Sequence, residues 1–116
     1  MSFKTTLMTT AILTVFSAPA FAENVNIGVP SWTGAQAVAN VLGAIVEMRM
    51  GGTVEYVPGN NATIFQAMDQ GKGDIDVHPD VWLPNQQSFT QKYVDEAKTV
   101  TLSSNPYEGN QGFCVS

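Results

Sequence analysis

The sequence predicts an α/β fold built on a parallel sheet. Two observations carry this. Short apolar runs with every-second-residue patterning alternate with longer runs of helical period, in the order strand, helix, strand, helix, strand. Glycines fall between these runs, where a chain must turn back on itself.

Val25, Ile27 and Val29 form the first strand pattern. Val38, Val41, Leu42, Ile45 and Met48 follow at offsets 0, 3, 4, 7 and 10, one face of an amphipathic helix. Gly51-Gly52 ends it, because glycine enters the left-handed conformation that closes helices. Val54 to Val57 is a second strand. Asn61 is the expected N-cap of a shorter helix carrying Ile64, Phe65 and Met68, which Gly71 and Gly73 close. Ile75 and Val77 make a short third strand. Pro79 and Pro84 bracket a loop, and a third helix carries Phe89, Tyr93 and Ala97 at i, i+4 and i+8. Val100 and Leu102 are a candidate fourth strand, and Gln111 to Ser116 reads as the opening of another.

Residues 1–22 are set apart from the fold. Lys4 supplies a positive start, Leu7 to Ala20 is uncharged and mostly apolar, and Ala20-Phe21-Ala22 is an A-x-A cleavage site. That is the pattern of a Sec signal peptide, and the apolar run is short for a helix spanning ~30 Å of hydrocarbon. The expected product is exported, soluble and periplasmic, with residues 23–116 as one domain.

The chain carries ten acidic and five basic residues, a formal net charge of −5. All ten acids lie from Glu23 onward. With no basic patch, nucleic acid is excluded as a partner class. Cys114 is the only cysteine, so no internal disulfide forms; it reads as a small buried residue or as a thiol that pairs outside the chain.

Ligands of open parallel sheets bind beyond the carboxyl ends of the strands. The sequence puts Ser31, Trp32 and Thr33 after strand one, Gly59, Asn60 and Asn61 after strand two, and His78, Asp80 and Trp82 after strand three. Both tryptophans lie on that rim. An indole face attracts a quaternary ammonium group by about 0.5–2 kcal/mol per contact. Trp32 reads equally well as a core residue, whereas Trp82 sits in a polar loop between prolines. His78-Pro79-Asp80 is also the tripeptide of J-domain co-chaperones, but its flanks here are a strand and a proline loop. Asp74 and Asp76 are too few oxygens for a hard metal, so they read as structural acids at a strand start. One histidine and one terminal cysteine build neither a zinc site nor a catalytic triad; no enzyme, metal or cofactor is expected.

Asn26-Ile27-Gly28-Val29, Gly73-Asp74-Ile75-Asp76-Val77, the Asp80-Val81-Trp82-Leu83-Pro84 loop and the run Tyr107 to Phe113 together carry a resemblance. The chain resembles the glycine betaine/proline betaine substrate-binding proteins of ABC transporters, over essentially everything after residue 22. The resemblance implies a type II periplasmic binding protein: two three-layer α/β lobes with ligand in the cleft between them. It implies a cage of aromatic side chains for the trimethylammonium head and N–H groups with polar side chains for the carboxylate. Trp82 matches the cage tryptophan of the family's Trp-x-Pro loop, and Trp32 lies where some branches also carry an aromatic. Gln86 stands where one branch has a histidine, with His78 on the other side of the loop. The expected ligand-binding residues are therefore Ser31, Trp32, Asn60, His78, Trp82 and Gln86. The implied partners are a quaternary amine and an inner-membrane ABC permease, and a monomer is expected. Family members are two to three times longer, so the resemblance implies a first lobe without its second. A half cleft buries one side of a ligand, so weak or no betaine binding by the chain alone is expected. The alternative from another class is a lone-lobe interaction or sensing module without a transport role.

Overall fold

The structure is a computed structural model and describes residues 23–114; the expected signal peptide lies outside the described residues. Strand β1 (Asn24–Val29) pairs in parallel with β2 (Thr53–Pro58), with Asn24 opposite Thr53 and Val29 opposite Pro58. The crossover between them is helix α1 (Thr33–Ile45), which widens into a π-helical turn over Val46–Met50. Helix α2 (Asn61–Gln70) follows β2, and α3 (Gln87–Thr90) continues as a second π-helical turn over Gln91–Glu96. Gly51 and Gly71 close α1 and α2 in the left-handed conformation, as the sequence predicts. No helix among the described residues is long and apolar enough to cross a membrane.

The third strand is present only in reduced form. Ile27 and Val77 make a single parallel bridge. The Gly28 N–H donates to the Val77 carbonyl at 2.9 Å, and the Asp76 N–H to the Asn26 carbonyl at 2.8 Å. The Asp76 carboxylate also accepts the Asn26 N–H at 2.8 Å. Asp76 thus ties the segment to β1, the structural use expected of it. β1 is the central strand, with β2 on one side and residues 75–77 on the other.

Four expectations are corrected. The N-cap of α2 is Asn60, whose side-chain oxygen accepts the Thr63 N–H at 2.9 Å; Asn61 is already helical. No fourth strand forms at Val100 and Leu102. The N–H groups of Thr99 and Val100 both donate to the Tyr93 carbonyl, so they close the preceding helix and are not free to join a ladder. On α1 the buried stripe is Ala35, Ala39 and Gly43, while Val41, Ile45 and Met48 are exposed. A sheet this narrow covers only part of the apolar arc, and the small residues let the helix approach it closely. Residues 101–114 are exposed and outside any strand, and Cys114 is exposed with them.

The core lies on the side of β1 facing α2 and α3. Phe65 is 1% exposed and packs with Tyr93 and Val100, flanked by Met68, Val81, Phe89 and Val94. Phe65 stacks on Phe89 and Tyr93 at centroid distances of 5.4 and 5.9 Å. Ile27 and Ile64 are equally buried under the sheet. Gly28 is a tight point under the sheet: a Cβ there would lie 2.7 Å from Ile64 Cγ2 and 3.1 Å from Ile75 Cγ2. Gly28→Ala is expected to cost about 1–3 kcal/mol through overpacking. Urea denaturation checks this, and a loss under roughly 0.5 kcal/mol would contradict so close a packing.

Candidate functional site

Every chemically interesting group sits on the rim above the carboxyl ends of β1, β2 and residues 75–77. The rim is split into two open grooves. One, of about 490 Å³, is lined by Phe65, His78, Val81, Trp82 and Tyr107 among others. The second, of about 790 Å³, has Ser31, Gln36, Asn40, Tyr56 and Asn60 on its walls.

The sequence-predicted site residues therefore divide. Ser31 and Asn60 face the second groove, and the Asn60 side chain is committed to capping α2. His78 and Trp82 face the first. Trp32 starts α1 and reaches across to the 78–82 loop, where its Nε1–H donates to Asp80 Oδ2 at 2.7 Å. Gln86 is 4% exposed, and its Nε2 makes a long 3.5 Å contact to the Asp80 carbonyl. Its Oε1 has no hydrogen-bond partner among the described residues. Gln86 thus sits beneath the 80–86 loop and lines neither groove.

Asp80 is the junction of the rim. It is 5% exposed. Oδ2 accepts Trp32 and Oδ1 accepts the Tyr107 hydroxyl at 3.0 Å. Its backbone N–H points to His78 Nδ1 at 3.3 Å. Burial alone would raise its pKa. The donors Trp32, Trp82 and Tyr107, in that order, and the nearby His78 outweigh burial and hold the carboxyl below its usual value. The Tyr107 hydroxyl donates to Asp80, and that bond together with the carboxylate's charge raises its pKa.

His78 is positioned by two bonds that set its tautomer. Nδ1 accepts from Asp80, so Nε2 carries the proton and donates to Asn61 Oδ1 at 2.9 Å. Its ring packs 5.3 Å from Phe65 and 6.4 Å from Trp32. Burial pushes the His78 pKa from 6.5 down to about 4, against the opposing pull of Asp80. A neutral imidazole is therefore the native form. An unfolded chain protonates this ring below about 6.5, while the folded chain resists until about 4. The stability it contributes is complete above pH 6.5 and drains away as pH falls to 4. The full effect is roughly 3 kcal/mol before screening and less in practice, because the ring is partly accessible. Denaturation at pH 7.5 and pH 4.5 is expected to show this loss in the native chain and a flatter profile in His78→Gln.

Residues 101–114 cross the first groove as a strap. Tyr107 latches onto Asp80, and Asn85 Nδ2 contacts Gln111 Oε1 at 3.4 Å. Gly109 lies flat on the Trp82 ring: a Cβ there would be 2.6 Å from Cη2 and Cζ3. Only a glycine permits the main chain to come this close. Tyr107 is a functional candidate that the sequence alone did not single out, and Asp80, placed on the rim by the sequence, was not marked there as the hub that joins the aromatic groups. The signal lay in the buried acid two residues before Trp82 and in an aromatic beside the Gly109 contact.

Three aromatic groups, Trp32, Trp82 and Tyr107, thus meet around one carboxylate. No nucleophile is paired with a base among them. Such a cluster can hold a cationic head by ring faces and a nearby negative charge. Residues 23–116 match the family model OpuAC, described as the substrate binding domain of ABC-type glycine betaine transport system. No curated protein and no solved structure matches the chain.

Proposed function

The chain belongs to the family of substrate-binding domains of ABC-type glycine betaine transport systems, and from that premise we propose that it is the periplasmic binding component of an importer for glycine betaine or a related quaternary amine. The observation that carries the reading is the meeting of Trp32, Trp82 and Tyr107 at Asp80 on the strand-end rim. The family is one of substrate binding, not of catalysis. In this reading residues 1–22 direct export and are removed. The domain is a parallel-sheet lobe of a type II binding protein, acts as a monomer and docks on an ABC permease.

The roles follow from position. Trp82 offers its indole to the trimethylammonium head along the first groove and Tyr107 completes the aromatic wall, while Trp32, which lines neither groove, backs that wall through Asp80. Ser31 and the Asn60 loop offer polar groups to the rest of the ligand. Gln86 supports the loop from beneath, and His78 lines the first groove beside Trp82. The groove is open on one side, so a few cation–π contacts of about 0.5–2 kcal/mol each must offset the cost of association. That sum supports a Kd of about a millimolar or weaker, where 1 mM corresponds to about −4 kcal/mol. Isothermal calorimetry with glycine betaine, proline betaine, choline and carnitine tests this. Saturable heat in the millimolar range for at least one of them is expected. Micromolar affinity would contradict the one-sided groove, and silence from all four would contradict the ligand class.

A further inference from the structure

We propose that Asp80 is the positioning residue of the rim, holding the Tyr107 phenol in the orientation in which its ring face receives a quaternary ammonium group in the first groove, with the Trp32 indole as the second donor that fixes the carboxylate. The inference rests on the binding function just proposed and assigns that site its organising residue. Neither the carboxylate nor the Trp32 ring lines a groove, whereas Tyr107 lines the first. Both of its geometric hydrogen-bond donors are aromatic, Trp32 on Oδ2 and Tyr107 on Oδ1. They come from segments 48 and 27 residues away, so one side chain joins the start of α1, the 78–82 loop and the strap. A hydrogen bond through a ring's edge fixes the ring plane and leaves its face free. The carboxylate is 5% exposed, so water does not compete for these donors. Its backbone N–H fixes the His78 tautomer in the same place. His78 and Tyr107 are the titratable side chains facing it, and both are neutral at pH 7. Asp80 therefore puts an unshared negative charge behind the aromatic wall. That charge polarises the N–H and O–H donors and makes the Tyr107 ring a better partner for a cation.

The test needs no ligand for its first arm. The Trp32 indole N–H proton is followed by NMR in the purified chain, assigned with a Trp82→Phe variant. A bond to a carboxylate puts this signal downfield of a solvent-exposed indole. Its shift is expected to follow a single acid titration below the ordinary carboxylate range. Asp80→Asn, nearly isosteric, is expected to move the signal upfield and abolish that titration. Tyr107→Phe removes one donor from an exposed residue and leaves the chain folded even if Asp80→Asn is not. The second arm measures tetramethylammonium and glycine betaine affinity by fluorescence. Asp80→Asn is expected to weaken both about tenfold, as loss of a charge-assisted bond does, and Tyr107→Phe about threefold. An indole signal that does not titrate overturns the proposal, as does affinity within twofold of native in both variants. A titrating indole in a native chain that binds no quaternary amine supports the positioning bond and overturns the binding function instead.

Discussion

Trp82→Ala is expected to weaken quaternary-ammonium binding by about 10–30-fold, while Trp82→Phe retains most of the affinity. The expectation follows from the place of this ring. Trp82 lines the first groove and carries the strap, with Gly109 pressed flat against it. Truncation removes the largest π-face of the groove, about 2 kcal/mol when the cation is desolvated. It also removes the surface on which residues 107–109 rest, so Tyr107 loses support for its bond to Asp80. The side chain is half-buried, so the cost to folding is small beside the cost to binding. Fluorescence from Trp32, left as the only tryptophan, reports ligand in the variant. Affinity unchanged within twofold would remove Trp82 from the site.

Phe65→Ala is expected to lose about 3–5 kcal/mol of stability, the usual cost of emptying a buried phenylalanine position. Phe65 stacks on Phe89 and Tyr93 and meets the His78 ring at a tilt, so it joins α2 to α3 and to the rim loop at once. Small domains hold about 5–15 kcal/mol in total. The variant is therefore expected to be partly unfolded at 25 °C, with a midpoint well below that of the native chain in urea. Phe65→Leu, which keeps most of the volume, is expected to lose under half as much. Equal losses in the two would show that the stack, not the filled volume, carries the energy.

The alternation of strand and helix was readable because period two and period 3.6 differ sharply over six and thirteen residues. The helix-ending glycines were readable for a local reason, their backbone freedom. What was not readable depended on distant partners. The exposure of Val41, Ile45 and Met48 follows from the width of the sheet, which no pattern within α1 encodes. The missing fourth strand follows from where the Thr99 and Val100 N–H groups go, a matter settled by Tyr93. Asn60 and Asn61 are both good caps by type, and only the geometry chooses between them. At the site, Trp32, Asp80 and Trp82 could all be placed on one rim from strand order, but the hydrogen bonds that join Asp80 to Trp32 and Tyr107 could not. Hydrogen bonds spanning 48 and 27 residues leave no trace in local spacing.

The central claim is that this rim receives a quaternary ammonium group by charge and ring face together. The most direct test is a fluorescence titration of the purified chain with choline and with 3,3-dimethylbutanol, its uncharged isostere, in parallel. The account predicts a saturable change with choline in the millimolar range and at least a severalfold weaker response to the neutral alcohol. Equal responses would show a plain apolar groove, and no response to choline up to about 100 mM would contradict the claim outright.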